Sequence, residues 1–134
     1  MDRVFFDANV LFSAAYAEGS APARLWRSRN IQLLASGYVV EEARRNLDNV
    51  AARERLEVLL ATVERVGDPA AALDPESELR LSENDRPVLR AAMAGRASHL
   101  LSGDRRAFGA SYGQRIGGVL ILRPADYLAP TKRR

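Results

Sequence analysis

Short apolar segments alternate with helical patterns along the chain, and this alternation limits the fold more than any other feature. Buried strands are predicted at Val4–Phe6, Ile31–Ala35, His99–Leu101 and Val119–Leu122, and a short additional one at Val63–Val66. Strands that are joined through helices run parallel, and the helices then cover both faces of the sheet. We therefore predict an α/β fold with a mainly parallel sheet of four to five strands.

Helices are predicted in the intervals between these strands. One is expected at Ala21–Arg29, where a proline suits the first turn. From Val39 the apolar residues recur at intervals of about four, which predicts an amphipathic helix to about Asn49. A further helix is predicted at about Arg53–Thr62. The segment from about Pro87 to Gly95 is almost wholly apolar, so this helix should pack against the sheet.

The composition limits the class of protein. The 134 residues suit one domain, which we expect over residues 1–128, followed by a basic tail over 129–134. The chain has no cysteine, which excludes disulfides, thiolate metal sites and cysteine nucleophiles and favours the reducing cytoplasm. Neither a secretory signal nor an apolar run that could cross a bilayer is seen, so no membrane partner is expected.

Four carboxylates are predicted near the carboxyl ends of the strands, where open parallel sheets bind ligands. Asp7 and Asp104 directly follow predicted strands, and the carboxyl ends of parallel strands share one edge. Asp85 begins the apolar helix that leads to the strand before Asp104. Glu42 borders the apolar stripe of its helix, whereas Glu41 points further outward. We therefore predict that Asp7, Glu42, Asp85 and Asp104 converge at this edge, with Glu41 as the alternative to Glu42.

The donor set indicates which cation such a site would hold. Carboxylate oxygens without cysteine suit Mg²⁺ or Mn²⁺ rather than zinc. A cation would relieve the repulsion among the acids, activate a water and neutralise charge on a phosphodiester. The predicted chemistry is hydrolysis of a phosphodiester by metal-activated water, with one or two metal ions.

Each acid also has a simpler interpretation when it is taken singly. Asp85 and Asp104 precede helices, where aspartate is a common N-cap. Asp7 would then end a strand in an ordinary turn, and Glu42 would be a solvated helix charge. Their joint placement is what favours a shared site. His99, in an apolar strand, is assigned no catalytic role.

Three segments together form a pattern that covers about Val4–Leu128: VFFDANVLFSA, YVVEEARRNL and NDRPVLRAAMAGRASHLLSGDRRAF. In this order they resemble the PIN domain nucleases, particularly the small VapC-type toxins of toxin–antitoxin pairs. The resemblance implies a Rossmann-like three-layer α/β/α sandwich and a metal-dependent endoribonuclease. It also implies an RNA substrate, frequent homodimers and a cognate antitoxin that covers the site.

The resemblance further assigns roles to individual residues. The four acids become the metal-binding and catalytic residues, and Asn9 and Ser102 become polar supports of the site. Glu83 is a second acid close to Asp85 in this pattern. The choice of the third acid therefore stays open between Glu83 and Asp85.

Arginine supplies nearly all of the positive charge. The formal net charge is +3 and the pI about 9.8, and Lys132 is the single lysine. Arginine favours bidentate contacts with phosphate, although a high-GC coding sequence also enriches it. The arginines that flank the acids are candidates for RNA contacts or, alternatively, solvated helix charges: Arg44, Arg45, Arg86, Arg105 and Arg106.

Other classes with similar sheets fit the sequence less well. A phosphoacceptor receiver module needs an acidic pair after its first strand and a lysine near its last. Here the first strand is followed by Asp7 and Asn9, which are not an acidic pair. The single lysine, Lys132, lies beyond the predicted fold. A haloacid-dehalogenase-like phosphatase would need an aspartate in place of Asn9. The stronger rival is a non-catalytic PIN-like module that binds RNA or a protein.

Overall fold

A central sheet with helices on both faces forms the described part of the chain. The structure, a computed structural model, describes residues 1–67, 81, 85–103 and 108–129. Its strands are β1 (Asp2–Phe6), β2 (Ile31–Ser36), β3 (Glu64–Val66), β4 (His99–Leu101), β5 (Arg115–Ile116) and β6 (Val119–Leu122). Its helices are α1 (Ala8–Tyr16), α2 (Gly37–Asn46), α3 (Val50–Leu60), α4 (Arg86–Ala94) and α5 (Pro124–Leu128), with 3₁₀ helices at Pro22–Arg27 and Gly109–Ser111.

The strand order places β1 and β4 at the centre of the sheet. The order of the described strands is β3-β2-β1-β4-β6-β5; β5 pairs antiparallel with β6, and the other neighbours pair parallel. The chain moves outward from β1 through β2 to β3 and then crosses to β4 on the other side of β1. This reversal makes the carboxyl ends of β1 and β4 a topological switch point, where open α/β sheets bind ligands.

Both faces of the sheet are covered. In β1 the successive residues Val4, Phe5 and Phe6 are all fully buried, and successive side chains of a strand point to opposite faces. Helix α1 packs against α2 and α3, whereas α4 packs against β2, β3 and β4. The predicted Rossmann-like α/β/α sandwich is confirmed, with six strands among the described residues where four to five were predicted.

The additional strand belongs to a hairpin that the sequence analysis missed. Strand β5 has two residues and is joined to β6 by Gly117 and Gly118, with φ of 59° and 85°. These left-handed values are those of a type I′ turn, which glycine adopts without strain. Two residues are too few to show the alternation that identifies a strand.

Side-chain caps set the bounds of two helices. The Ser36 hydroxyl accepts the N–H of Val39 at the start of α2, and Asn49 Oδ1 accepts the N–H of Ala52 at 2.7 Å at the start of α3. Helix α3 therefore begins earlier than predicted, and α2 ends earlier, at Asn46. The helix predicted at 21–29 is a shorter 3₁₀ helix. Within the described ranges, no helix has the length and apolar character needed to cross a membrane.

Arg96 adopts a left-handed backbone directly after the C-cap of α4. Its φ is 58°, a conformation that costs a non-glycine residue about 1 kcal/mol. We expect Arg96→Gly to raise the free energy of unfolding by about 0.5–1 kcal/mol in urea denaturation. The control is Glu54→Gly, at an exposed position inside α3, which should lower it by about 1 kcal/mol. Equal losses in both variants would contradict backbone strain at Arg96.

Candidate active site

Asp7 lies directly after β1, at the switch point, and is only 8% exposed. Its Oδ1 accepts the N–H of Ala8 at 2.8 Å, so the side chain caps α1. Its Oδ2 accepts the hydroxyl of Ser102 at 2.9 Å, and its backbone N–H donates to the carbonyl of Leu101 at 3.0 Å. These bonds hold the carboxylate at the junction of β1 and β4.

Asn9 and Ser102 complete a polar network around this carboxylate. Asn9 Nδ2 lies 3.4 Å from Asp7 Oδ2 and 3.3 Å from Ser102 Oγ, while Asn9 Oδ1 accepts the N–H of Gly103 at 2.8 Å. Ser102 is fully buried, and its carbonyl accepts the hydroxyl of Tyr112 at 2.7 Å. Both residues expected to support the site thus lie in contact with Asp7.

The surroundings of Asp7 make its ionised form costly. Burial raises the pKa of Asp7 from 3.8 to about 6, against the opposing effect of the hydrogen bonds from Ser102 and Ala8. The negative charges of Glu42 and Asp85 raise the pKa as well, so these three acids share one electrostatic environment. A carboxylate with a pKa perturbed in this way is typical of functional sites.

The hydroxyl of Ser102 favours the ionised form of Asp7. We expect Ser102→Ala to raise the pKa of Asp7 above its present value because the variant loses that hydrogen bond. NMR titration of the Asp7 carboxyl in metal-free protein measures the change. Tyr112→Phe removes a nearby hydroxyl that does not contact Asp7 and serves as the control. Equal pKa values in the two variants would contradict the role of Ser102.

Glu42 differs from the neighbouring Glu41 in what it contacts. Glu41 is exposed and forms an ion pair with Arg44 at 3.0 Å, whereas Glu42 is half-buried and interacts electrostatically with Asp7. Asp85 precedes α4 without capping it through its side chain. Asp85 is nevertheless the residue at the N-cap position of α4, so its simpler interpretation stays a prediction. The geometry favours Glu42 over Glu41 as the acid near Asp7.

Several predicted site residues lie outside the described residues, namely Glu83, Asp104, Arg105, Arg106 and the tail from residue 130 onward. Among the residues that the structure describes, no three carboxylate or histidine side chains lie close enough together to hold a metal ion. The chemistry of the described donors nevertheless fits a hard cation. Asp7 is a buried carboxylate in the field of two others, and oxygen ligands with excess negative charge suit Mg²⁺ or Mn²⁺.

The described candidate arginines differ in their environments. Arg44 Nε lies 2.9 Å from Glu57, and its Nη1 lies 3.0 Å from Glu41, so it joins α2 to α3. Arg45 is exposed, and Arg86 is the first residue of α4, next to Asp85. For Arg44 these ion pairs favour the alternative of a helix surface charge over a contact with RNA.

His99 lies at the amino end of β4, at the opposite end of the strand from Ser102. Its Nδ1 is 2.8 Å from the hydroxyl of Ser98, and its ring packs edge-on against Tyr127 with centroids 4.9 Å apart. Burial lowers the pKa of His99, so the ring is mainly neutral at pH 7. These contacts agree with a structural role.

One charged side chain at the sheet edge was missed by sequence reasoning. Arg123 is the first residue after β6, which pairs in parallel with β4. The predicted strand Val119–Leu122 ends directly before Arg123, to which no role was assigned. The rule that selected Asp7, a polar residue directly after a predicted strand, would have found it.

Comparison with protein families identifies the chain. Residues 3–106 match the profile of the PIN domain, well over half of the 134 residues. The chain belongs to the PIN domain family. The family resemblance seen in the sequence is thereby confirmed. Comparison with curated protein sequences gives no match.

Solved structures of toxin–antitoxin proteins share the fold of this PIN domain. One is the structure of VapBC2 from Rickettsia felis bound to a DNA fragment from the VapBC2 promoter. The matched chain of that structure is 15% identical to this chain, and the alignment covers 90% of this chain and 98% of that chain with a TM-score of 0.64. A toxin–antitoxin complex from Klebsiella pneumoniae is 19% identical over 87% and 95% of the two chains, with a TM-score of 0.61. Mycobacterium tuberculosis VapC20, a Sarcin-Ricin loop cleaving toxin, is 16% identical over 80% and 93%, with a TM-score of 0.54. At these identities the likeness establishes the fold.

Proposed function

We propose that this PIN domain is a divalent-metal-dependent endoribonuclease and the toxin of a toxin–antitoxin pair. The observation that carries the proposal is the buried carboxylate of Asp7 at the switch point, with a pKa of about 6 and with Glu42 and Asp85 in its electrostatic environment. Acids held together in this way repel one another unless a cation binds. A cation between carboxylates suits the cleavage of an anionic diester.

The four acids would hold one or two ions of Mg²⁺ or Mn²⁺: Asp7, Glu42, Asp85 and Asp104. When bound, the cation supplies an activated water and neutralises charge on the phosphodiester. The chain itself orients the first of these ligands, because the Ala8 N–H fixes Oδ1 of Asp7 and the hydroxyl of Ser102 fixes Oδ2. Asn9 joins this network and ties it to Gly103, the residue before Asp104.

Protons compete with cations for Asp7. In the metal-free protein its carboxyl takes up a proton below about pH 6, so cation affinity should fall in acid. Burial of Asp7 also limits its contact with water, which strengthens its attraction to a cation.

We further propose an RNA substrate, a cognate antitoxin, a homodimeric state and a cytoplasmic location. The shared fold of VapBC2 and of the Klebsiella pneumoniae complex supports the antitoxin. The shared fold of VapC20, a Sarcin-Ricin loop cleaving toxin, supports the RNA substrate. The nuclease domain would extend over residues 1–128, with 129–134 as a basic tail. Sedimentation equilibrium of the purified protein measures the oligomeric state.

A non-catalytic PIN-like module that binds RNA or a protein is the second candidate. It is favoured by the finding that both carboxylate oxygens of Asp7 already accept hydrogen bonds from the protein, from the N–H of Ala8 and the hydroxyl of Ser102. Such a module could retain Asp7 and its network for structural reasons, since Asp7 also caps α1. The two candidates differ in whether RNA is cut.

Cleavage of a mixed pool of structured RNAs tests the proposal. Purified protein is assayed with Mn²⁺ and with EDTA, beside the Asp104→Asn variant. Metal-dependent cutting that is lost in the variant supports the nuclease. If no RNA is cut, calorimetric titration with Mn²⁺ follows. Binding that needs Asp104 then points to the non-catalytic module with an intact metal site, and no binding contradicts the proposed metal site.

A further inference from the structure

Arg123 lies at the same sheet edge as Asp7. Phe6 of β1 is in register with Leu101 of β4, which is in register with Leu122 of β6. The next residues along these strands are Asp7, Ser102 and Arg123, so they stand side by side. Neighbouring strands are about 4.8 Å apart, which places the backbone of Arg123 about 10 Å from that of Asp7. A nucleic-acid strand covers this distance in about three nucleotides.

Tyr112 and Asp126 hold the guanidinium of Arg123 from two directions. Its Cζ lies 5.7 Å from the centroid of the Tyr112 ring, within cation–π distance, and its Nε donates to Asp126 Oδ2 at 2.9 Å. The hydroxyl of Tyr112 donates to the carbonyl of Ser102 at 2.7 Å. The ring beneath the guanidinium is therefore tied to the residue whose own hydroxyl contacts Asp7.

The terminal nitrogens of Arg123 face no acceptor among the residues that the structure describes. Its side chain is 44% exposed, and its ion pair with Asp126 uses Nε. An ion pair this exposed is weak in water, so the guanidinium retains attraction for a further anion. Two N–H groups in a fork match the geometry of a phosphate.

A positive charge at this place would counter the repulsion between the acids and an anionic substrate. Asp7, Glu42 and Asp85 bring negative charge to the edge over which an RNA strand would pass. A guanidinium held two strands from Asp7 would offset part of that repulsion without entering the acid cluster. Its fixed position would also orient the strand relative to the acids.

We propose that Arg123, held by Tyr112, binds an RNA phosphate a few nucleotides from the scissile bond. This inference rests on the proposed nuclease function and deepens it, since it names a substrate-positioning residue outside the four acids. The contact is with the backbone, so it adds affinity without reading base sequence.

The test measures RNA binding in the Asp7→Asn background, which prevents cutting. The probe is a fluorescein-labelled single-stranded RNA of mixed sequence, and anisotropy is recorded over a range of salt concentrations. We expect Arg123→Ala to weaken binding about five- to tenfold at low salt. The log–log salt slope should fall by about 0.7, as for one lost contact with a single strand. Arg123→Lys should retain the slope and lose part of the affinity.

The matched control is Arg29→Ala, which removes an exposed arginine at the opposite end of the sheet, before β2. It should change neither affinity nor slope, and thermal melting checks that all variants fold. If Arg123→Ala changes neither the RNA affinity nor the salt slope while the wild type cuts RNA, the proposed phosphate contact is contradicted. The proposed nuclease function is then retained. If the wild type does not cut and the Asp7→Asn protein does not bind RNA, the proposed function fails and this inference fails with it.

Discussion

Asp7→Asn should reduce metal-dependent RNA cleavage at least about a hundredfold and leave the fold intact. The substitution removes the charge that would attract a cation but keeps the shape of the side chain. The asparagine oxygen can still accept the N–H of Ala8, and its amide can donate to Ser102 Oγ, so α1 keeps its cap. Initial rates with Mn²⁺, together with thermal melting, measure both parts of this expectation.

Neighbouring acids provide the controls for this experiment. Glu41→Gln should cleave at the wild-type rate because Glu41 is exposed and paired with Arg44, whereas Glu42→Gln should lose activity. Asp85→Asn and Glu83→Gln decide between the two candidates for the third acid in the same assay. Wild-type rates in the Asp7→Asn protein would contradict a catalytic role for this site.

Without divalent cations, the ionisation of Asp7 should lower the free energy of unfolding as the pH rises from about 4 to about 6. The pKa of Asp7 is about 6 in the folded protein and 3.8 without burial, so the unfolded chain ionises first. Between these values the free energy of unfolding falls by about 1.4 kcal/mol for each pH unit. The total loss is about 3 kcal/mol, and above about pH 6 it stays constant.

Urea denaturation in EDTA at several pH values, with Asp7→Asn beside the wild type, isolates this effect from the other titrating groups. The two proteins should have similar stability near pH 4, and the variant should be more stable by about 3 kcal/mol at pH 7. Added Mn²⁺ should stabilise the wild type far more than the variant. A constant difference across the whole pH range would contradict the raised pKa of Asp7.

Much of the fold could be predicted because its signals are local. The apolar run at 4–6 identified β1, and the helical spacing after Val39 distinguished Glu42 from Glu41. The order of strands and helices along the chain indicated a parallel sheet covered on both faces. Weak local signals were misjudged, as in the two-residue strand β5 and the 3₁₀ helix at Pro22–Arg27. The convergence of Asp7 with Asp104 stays a prediction, since Asp104 lies outside the described residues.

The sequence by itself determined the class of fold, the family and the short list of acids, because periodicity and motif order are properties of neighbouring residues. Only the tertiary structure decided the hydrogen bonds and the pKa of Asp7. Its contact with Ser102 joins residues 95 positions apart, and its pKa follows from burial and from charges that other elements bring near. The position of Arg123 beside Ser102 likewise depends on the pairing of β6 with β4. Such pairings arise from packing across the whole sheet, and no local pattern encodes them.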